Sequence, residues 1–297
     1  MKYNLALLFA NALFALNYSL FVSVMQSEKL SIGAIYLLQT LSMVIIVSIW
    51  RVIQPHRNKI IELRDVASIA LTAIFSSLGW SYATLQGMSL SSPIDAATIA
   101  SMGPSLTLIF AHILGQRQLT GVRMAGIILS LVGVSILFFD RGWNLLSGDA
   151  GRGNILLLVA VTISAVNTLI LKPQLERYGL SQVALYYALA AFAVSFPIFF
   201  KELSPSMFAD FDLMAVVETS AMLIIGSALP LVLLFEGTER LSPLHTSLYR
   251  YVQPLVTTIV VVSRKQAQLT ETNYIAMIAI VVGGVLVAKR VAQDRVA

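Results

Sequence analysis

Cysteine is absent from the 297 residues, and histidine occurs three times, as His56, His112 and His245. Disulfides, thiolate nucleophiles and Cys-ligated zinc or iron–sulfur centres are thereby excluded. Three scattered imidazoles make no metal cluster, so no metal, cofactor or catalytic residue is expected. Charge is scarce too: Asp, Glu, Lys and Arg make up 12% of the chain, about half the share found in soluble domains. No G-x-x-x-x-G-K phosphate loop occurs, so ATP is not the direct source of energy. No carboxylate pair or Ser nucleophile with a base shares one depth in the sequence, which argues against an enzyme.

Apolar residues are abundant instead, at 57% of the chain with a mean hydropathy of +0.81. A bilayer is crossed by about 20 apolar residues, and ten such stretches can be drawn. They are Leu5 to Met25, Ser31 to Ile53, Asp65 to Gly87, Pro93 to Leu114 and Gly121 to Phe139, then Gly153 to Leu171, Ser181 to Phe200, Met214 to Gly237, Pro243 to Ser263 and Asn273 to Ala288. Strict two-residue alternation is missing, which excludes transmembrane strands. The first stretch follows Lys2 like a signal peptide, but it is long and lacks a small-residue cleavage site, so a retained helix is expected.

The net charge of +5 reads as topology rather than as a nucleic-acid footprint. With both termini in the cytoplasm, thirteen of the twenty Lys and Arg fall on the cytoplasmic side, among them Arg57 and Lys59, and six fall outside. Cytoplasmic loops are the ones enriched in these residues. A bacterial-type inner membrane, multi-pass and with both termini inside, is the expected location. Arg250 is the one cation left within a span.

Sliding the chain by 150 residues aligns its halves without a gap. Asn4 meets Asn154, Asn17 meets Asn167, Tyr36 meets Tyr186, Ser92-Pro93 meets Ser242-Pro243 and Pro104 meets Pro254. Gln116 meets Gln266, the run Gln118-Leu119-Thr120 meets Gln268-Leu269-Thr270, and Gly133 meets Gly283. Leu and Val coincidences are cheap in this composition, whereas matched Asn, Pro, Tyr and Gln are not. The expectation is a first five-helix repeat over 1–140, a linker over 141–150 and a second repeat over 151–297. Five is odd, so the second copy enters the membrane from the opposite side. Such inverted repeats build secondary transporters with a site where the halves meet.

The motifs Leu90-Ser91-Ser92-Pro93, Met102-Gly103-Pro104 and Leu119-Thr120 recur as Leu241-Ser242-Pro243, Val252-Gln253-Pro254 and Leu269-Thr270. In this the chain resembles the drug/metabolite transporter superfamily, in its EamA-type branch of ten-helix exporters. The family often carries a Glu before the mid-helix Pro and another before the Leu-Thr pair, whereas Gly103 and Gln253, and Arg117 and Ala267, stand here. The resemblance implies an all-α membrane fold and export of small metabolites, commonly amino acids. It also implies a central cavity built from spans one, three, four, six, eight and nine. Small multidrug exporters of this superfamily carry a Glu mid-span in the first helix, which is missing here and disfavours a proton-coupled drug exporter.

Arg250 carries most weight among the site candidates, because a charge inside a span costs several kcal/mol unless it is paired or solvated. Thr246, Arg250, Gln253 and Thr257 are spaced by four, three and four, which makes one polar stripe on a helix. The matching residues of the first half are Ala96, Ala100, Gly103 and Thr107, so one half offers donors and the other offers room. A guanidinium beside an amide suits a carboxylate. The alternatives are an ion pair with Glu236 or snorkelling to the interface. Asn17 and its mate Asn167, beside Asn11, serve either substrate or interhelical hydrogen bonds. Trp80, Tyr82 and Gln86, with Tyr249 and Tyr251, line a pocket or, for those near span ends, anchor an interface; Trp50 and Trp143 read as interface anchors. Pro104, Pro254 and Pro230 are hinge candidates or static kinks. Asp95 reads as an N-terminal helix residue. Gly126 with Ser130, Ala279 with Gly283 and Gly284 with Ala288 permit close helix packing, in the scaffold or across a dimer face. The expected partners are a small-molecule substrate and the lipid bilayer, with no nucleic acid, and the chain is a monomer or a homodimer.

Overall fold

The computed structural model describes residues 2–53, 60–139, 148–204 and 211–288. These residues form ten apolar helical segments and no strand. They are α1 (Lys2–Gln26), α2 (Ile32–Ile53), α3 (Leu63–Leu90), α4 (Pro93–Ile113), α5 (Gly121–Phe139), α6 (Asp149–Tyr178), α7 (Leu180–Phe199), α8 (Leu213–Arg240), α9 (243–263) and α10 (Glu271–Ala288). Seven are individually long and apolar enough to cross a bilayer. Their outward side chains, Phe9, Phe75, Ile113 and Ile259 among them, are exposed and apolar, as a lipid-facing surface requires. The chain is a multi-pass membrane protein.

Charged groups collect at the two ends of the bundle, where the interfaces lie. On the face that holds the N-terminus, Lys2 pairs with Glu236 at 2.9 Å and Arg177 with Asp65 at 2.7 Å and Glu62 at 2.6 Å. On the opposite face Arg264 pairs with Glu218, and Ser31 donates to Glu202 at 2.5 Å. α6 is longer than the expected Gly153–Leu171. Apolarity ends at Lys172, but the helix runs on through Pro173 into the interface, where Lys172 pairs with Glu176 at 2.9 Å. The expected linker 141–150 lies mostly outside the described residues, as do His56, Arg57, Lys59, Trp143 and the basic C-terminal residues, and Asp149 and Ala150 already belong to α6.

The inverted repeat is visible as matched packing. α1 lies against α8 and α9, and its mate α6 lies against α3 and α4; α2 packs on α7 and α5 on α10. Gly87 of α3 lets Leu157 of α6 approach so closely that a Cβ would stand 2.7 Å from Leu157 Cγ. At the positions 150 residues away, Gly237 of α8 receives Leu7 of α1 in the same manner. In the α5–α10 pair Gly126 meets the backbone of Gly283, and a Cβ on Gly133 would lie 2.8 Å from the Ala276 carbonyl. The small-residue faces are therefore occupied inside the chain. Gly284 is covered by the Tyr251 ring.

Four of the helices depart from α geometry near mid-membrane. α3 and α8 each contain a π-turn, at Ser77–Tyr82 and Ile224–Ala228. α4 breaks at Ser101 and Met102, and α9 tightens into a 3₁₀ turn at Tyr249–Tyr251. Pro104, Pro254 and Pro230 each follow such a departure, where the missing N–H and the ring prevent a regular helix. Both α4 and α9 start identically: Ser92 accepts from the Asp95 N–H at 3.0 Å and Ser242 from the His245 N–H at 3.3 Å, each followed by Pro. The Asp95 carboxylate accepts from Asn273 at 2.8 Å, which ties α4 to α10.

Candidate functional site

At the centre of the bundle lies a cavity of ≈ 120 Å³ bounded by α1, α2, α3, α4, α7, α8 and α9. Both halves give it polar groups, Asn11, Asn17, Gln39 and Thr40 from the first and Ser227 and Gln253 from the second, and its charged group, Arg250, comes from the second. Arg250, 7% exposed, borders the cavity and donates from Nη2 to Ser164 of α6 at 2.6 Å. To get there its stem crosses Gly103 of the first half, where a Cβ would stand 2.5 Å from Arg250 Cδ. Gln253 donates to Asn11 Oδ1 at 2.8 Å and accepts from the Tyr18 hydroxyl at 3.4 Å. Thr257 donates to the Ala15 carbonyl at 3.2 Å, and Thr246 is buried with no partner for its hydroxyl. The four residues of the stripe thus share one buried face of α9, three of them aligned with α1 or the cavity.

Among the described residues no carboxylate lies within 4 Å of Arg250. Glu236, the expected structural partner, is held at the membrane face by Lys2 instead. The guanidinium is therefore a desolvated cation at the cavity wall, hydrogen-bonded to the neutral Ser164. Burying such a charge costs several kcal/mol, and an anion in the cavity offsets that cost. No group of three or more His, Asp or Glu that could hold a metal occurs among the described residues.

Two further sequence candidates reach the cavity. Asn17 lies on it, packed against Gly226 in the π-turn of α8, with its Oδ1 buried and unpartnered. Trp80 lines it too, edge-on to Phe14 at 6.1 Å. Three others do not line it. Tyr82 sits in an aromatic group with Tyr36 at 5.3 Å and Phe199 at 4.9 Å, its hydroxyl accepting from Gln86 at 2.9 Å. Two residues on from Trp80, it points to nearly the other side of the helix, which is the physical reason the two cannot share a pocket. Tyr249 lies tilted against His245, ring centroids 5.8 Å apart; in a 3₁₀ turn with three residues per turn, it faces well away from Arg250. Asn167 is 8% exposed, beside Tyr187 and Ser76 behind the wall.

The lining also corrects the expected set of helices. α2 and α7 contribute, through Gln39, Thr40, Met43, Tyr187 and Ala191, and α6 reaches the site only through Ser164, because the guanidinium lies over it. Gln39, an amide eight residues into its span, was a readable signal. Ser164 was not, since a lone Ser in an apolar helix is ordinary until an arginine is found against it.

Comparison with known proteins follows the same lines. No curated protein matches the chain. A solved structure, described only as "Crystal structure of protein", superposes with a TM-score of 0.66 at 19% identity over 99% of both chains, a likeness of fold. The model of the EamA-like transporter family matches twice, over residues 1–139 and 151–289. A duplicated five-helix unit that encloses a central cavity with a buried cation, matched over both copies by one family model, belongs to the drug/metabolite transporter superfamily: the chain is a member of the EamA-like transporter family.

Proposed function

We propose that the protein exports a small metabolite bearing a carboxylate, an amino acid or a similar acid, by alternating access through the central cavity. The observation that carries this reading is Arg250, buried on the cavity with no acidic partner among the described residues. Arg250 receives the carboxylate, Gln253 orients beside it, and Asn17 and Trp80 border the rest of the ligand. Tyr82, Tyr249 and Asn167 act from behind the wall, by holding the aromatic group, the 3₁₀ turn and the α6 contacts in place. Pro104, Pro254 and Pro230 act as hinges, because each adjoins a turn that already departs from α geometry. The two halves, 1–140 and 151–297, exchange shapes about the central axis. The excess of Lys and Arg in the loops on the N-terminal side supports an orientation with both termini in the cytoplasm, in a bacterial-type inner membrane; a reporter fused in the loop of Arg57 and Lys59 reads out cytoplasmic if this orientation is right.

The test is counterflow of a panel of labelled amino acids and other carboxylates into liposomes holding the purified protein, with Arg250→Gln alongside. Saturable uptake by the parent and its loss in the variant support the reading. Uptake of cationic drugs or nucleosides that Arg250→Gln leaves intact would replace it with a broad-specificity exporter in which Arg250 is structural.

A further inference from the structure

A second chamber, of ≈ 630 Å³, lies toward the face opposite the N-terminus, between the end of α1, the α3–α4 corner, α5 and the α9–α10 connection. Its wall is polar. Ser89, Ser91, Gln266 and Thr270 line it together with the carboxylates Asp95 and Glu28, and no Lys or Arg is among the described lining residues. Met88 borders this chamber and the central cavity alike. Around it Tyr18 and Leu85 face the central cavity and Phe21 faces the chamber, and all four belong to one apolar cluster, each no more than 7% exposed. The partition between the two spaces is therefore about one side chain thick. Methionine, unbranched and with three rotatable bonds, is suited to a partition that must yield.

The same end of α1 is fastened by a polar net. Ser19 donates to Gln266 at 2.6 Å, Gln266 donates to the Ser19 carbonyl at 3.1 Å and to Ser23 at 2.9 Å, and Arg264 joins Ser19 at 3.0 Å to Glu218. Shifted by 150 residues, Glu218 and Arg264 become Ser68 and Leu114, so the other face has no such ion pair in this register. Closure of the face opposite the N-terminus thus combines an apolar partition between α1 and α3 with a polar latch on the end of α1.

We propose that this chamber is the discharge end of the translocation path and that Met88, with Tyr18, Phe21 and Leu85, is the plug that separates it from the central cavity. Among its described lining residues the acid-bearing wall has no Lys or Arg, so for an anionic ligand it offers no counterpart to Arg250. The inference rests on transport through the central cavity and not on the carboxylate reading.

The absence of cysteine makes the test direct. Thr84→Cys places one thiol on the central cavity a turn along α3 from Met88, and Ser89→Cys places one in the chamber. Each is exposed to a small membrane-impermeant methanethiosulfonate added from the face opposite the N-terminus. Ser89→Cys is modified rapidly whatever stands at position 88. Thr84→Cys is modified slowly beside Met88, about tenfold or more faster beside Met88→Ala, and slowly again beside Met88→Leu. Phe21→Ala gives the same rise and serves if Met88→Ala does not fold. An unchanged Thr84→Cys rate in a monodisperse variant, or a protected Ser89→Cys, overturns the proposal. No substrate enters the assay, so neither outcome bears on what Arg250 binds.

Discussion

α4 and α9 occupy equivalent places in the two halves and have diverged in opposite directions. They share the Ser-Pro start, the break at mid-membrane and the proline that follows it. Their inner faces differ: α9 carries Thr246, Arg250 and Gln253, where α4 carries Ala96, Ala100 and Gly103, and of these Arg250, Gln253 and Ala100 line the cavity. The two sets are complementary, because the arginine of one half is seated only where the other half has a glycine. Duplication has kept the scaffold symmetric, as the Gly87·Leu157 and Gly237·Leu7 contacts show, while the charged residue of the cavity lining, Arg250, belongs to one half. A single cation near the axis that relates the halves fits the alternating access proposed above.

Breaking the donor side has the largest effect. Arg250→Gln is expected to lower carboxylate exchange about a hundredfold or more, as loss of a buried charge partner worth 2–5 kcal/mol implies, with the protein still monodisperse; unaltered flux removes the site. Filling the room on the other side comes next. Gly103→Ala pushes the Arg250 stem off its path, and a rise of about tenfold in KM with a smaller change in maximal rate is expected, measured by concentration dependence of counterflow; an unchanged KM means the guanidinium does not need this seat. The symmetric scaffold is probed by Gly87→Ala and Gly237→Ala, each expected to cost about 1–3 kcal/mol through overpacking. Similar losses in a thermal unfolding series would sharpen the contrast with α4 and α9, and a large inequality would show the scaffold to be asymmetric as well. Pro254→Ala has the smallest expected effect, slowing exchange by a few-fold with substrate affinity nearly unchanged; equal turnover removes the hinge from α9.

Much of this was legible in one dimension. Apolar runs and the 150-residue offset located all ten helices, because span length and composition answer to bilayer thickness rather than to neighbours. The cost of an intramembrane charge singled out Arg250, and helical spacing grouped it with Thr246, Gln253 and Thr257. Spacing had no part in grouping Tyr82 and Tyr249 with the site: Tyr82 lies two residues from Trp80, nearly opposite it on the helix, and Tyr249 sits in a 3₁₀ turn that carries it away from Arg250. Hydropathy also cannot show that α6 continues past Lys172, since a helix in the interface is held by ion pairs and solvation instead of apolarity.

The sequence by itself determined the class of molecule: a membrane-embedded duplication of five helices with an arginine, Arg250, deep in the ninth span. It did so because solvent and periodicity act on each segment separately. Tertiary structure decided which polar groups meet: Arg250 with Ser164 across Gly103, Gln253 with Asn11, Glu236 with Lys2, and Met88 between two chambers. Those pairings depend on the rotation of each helix about its own axis, which packing against neighbours sets and hydropathy does not record.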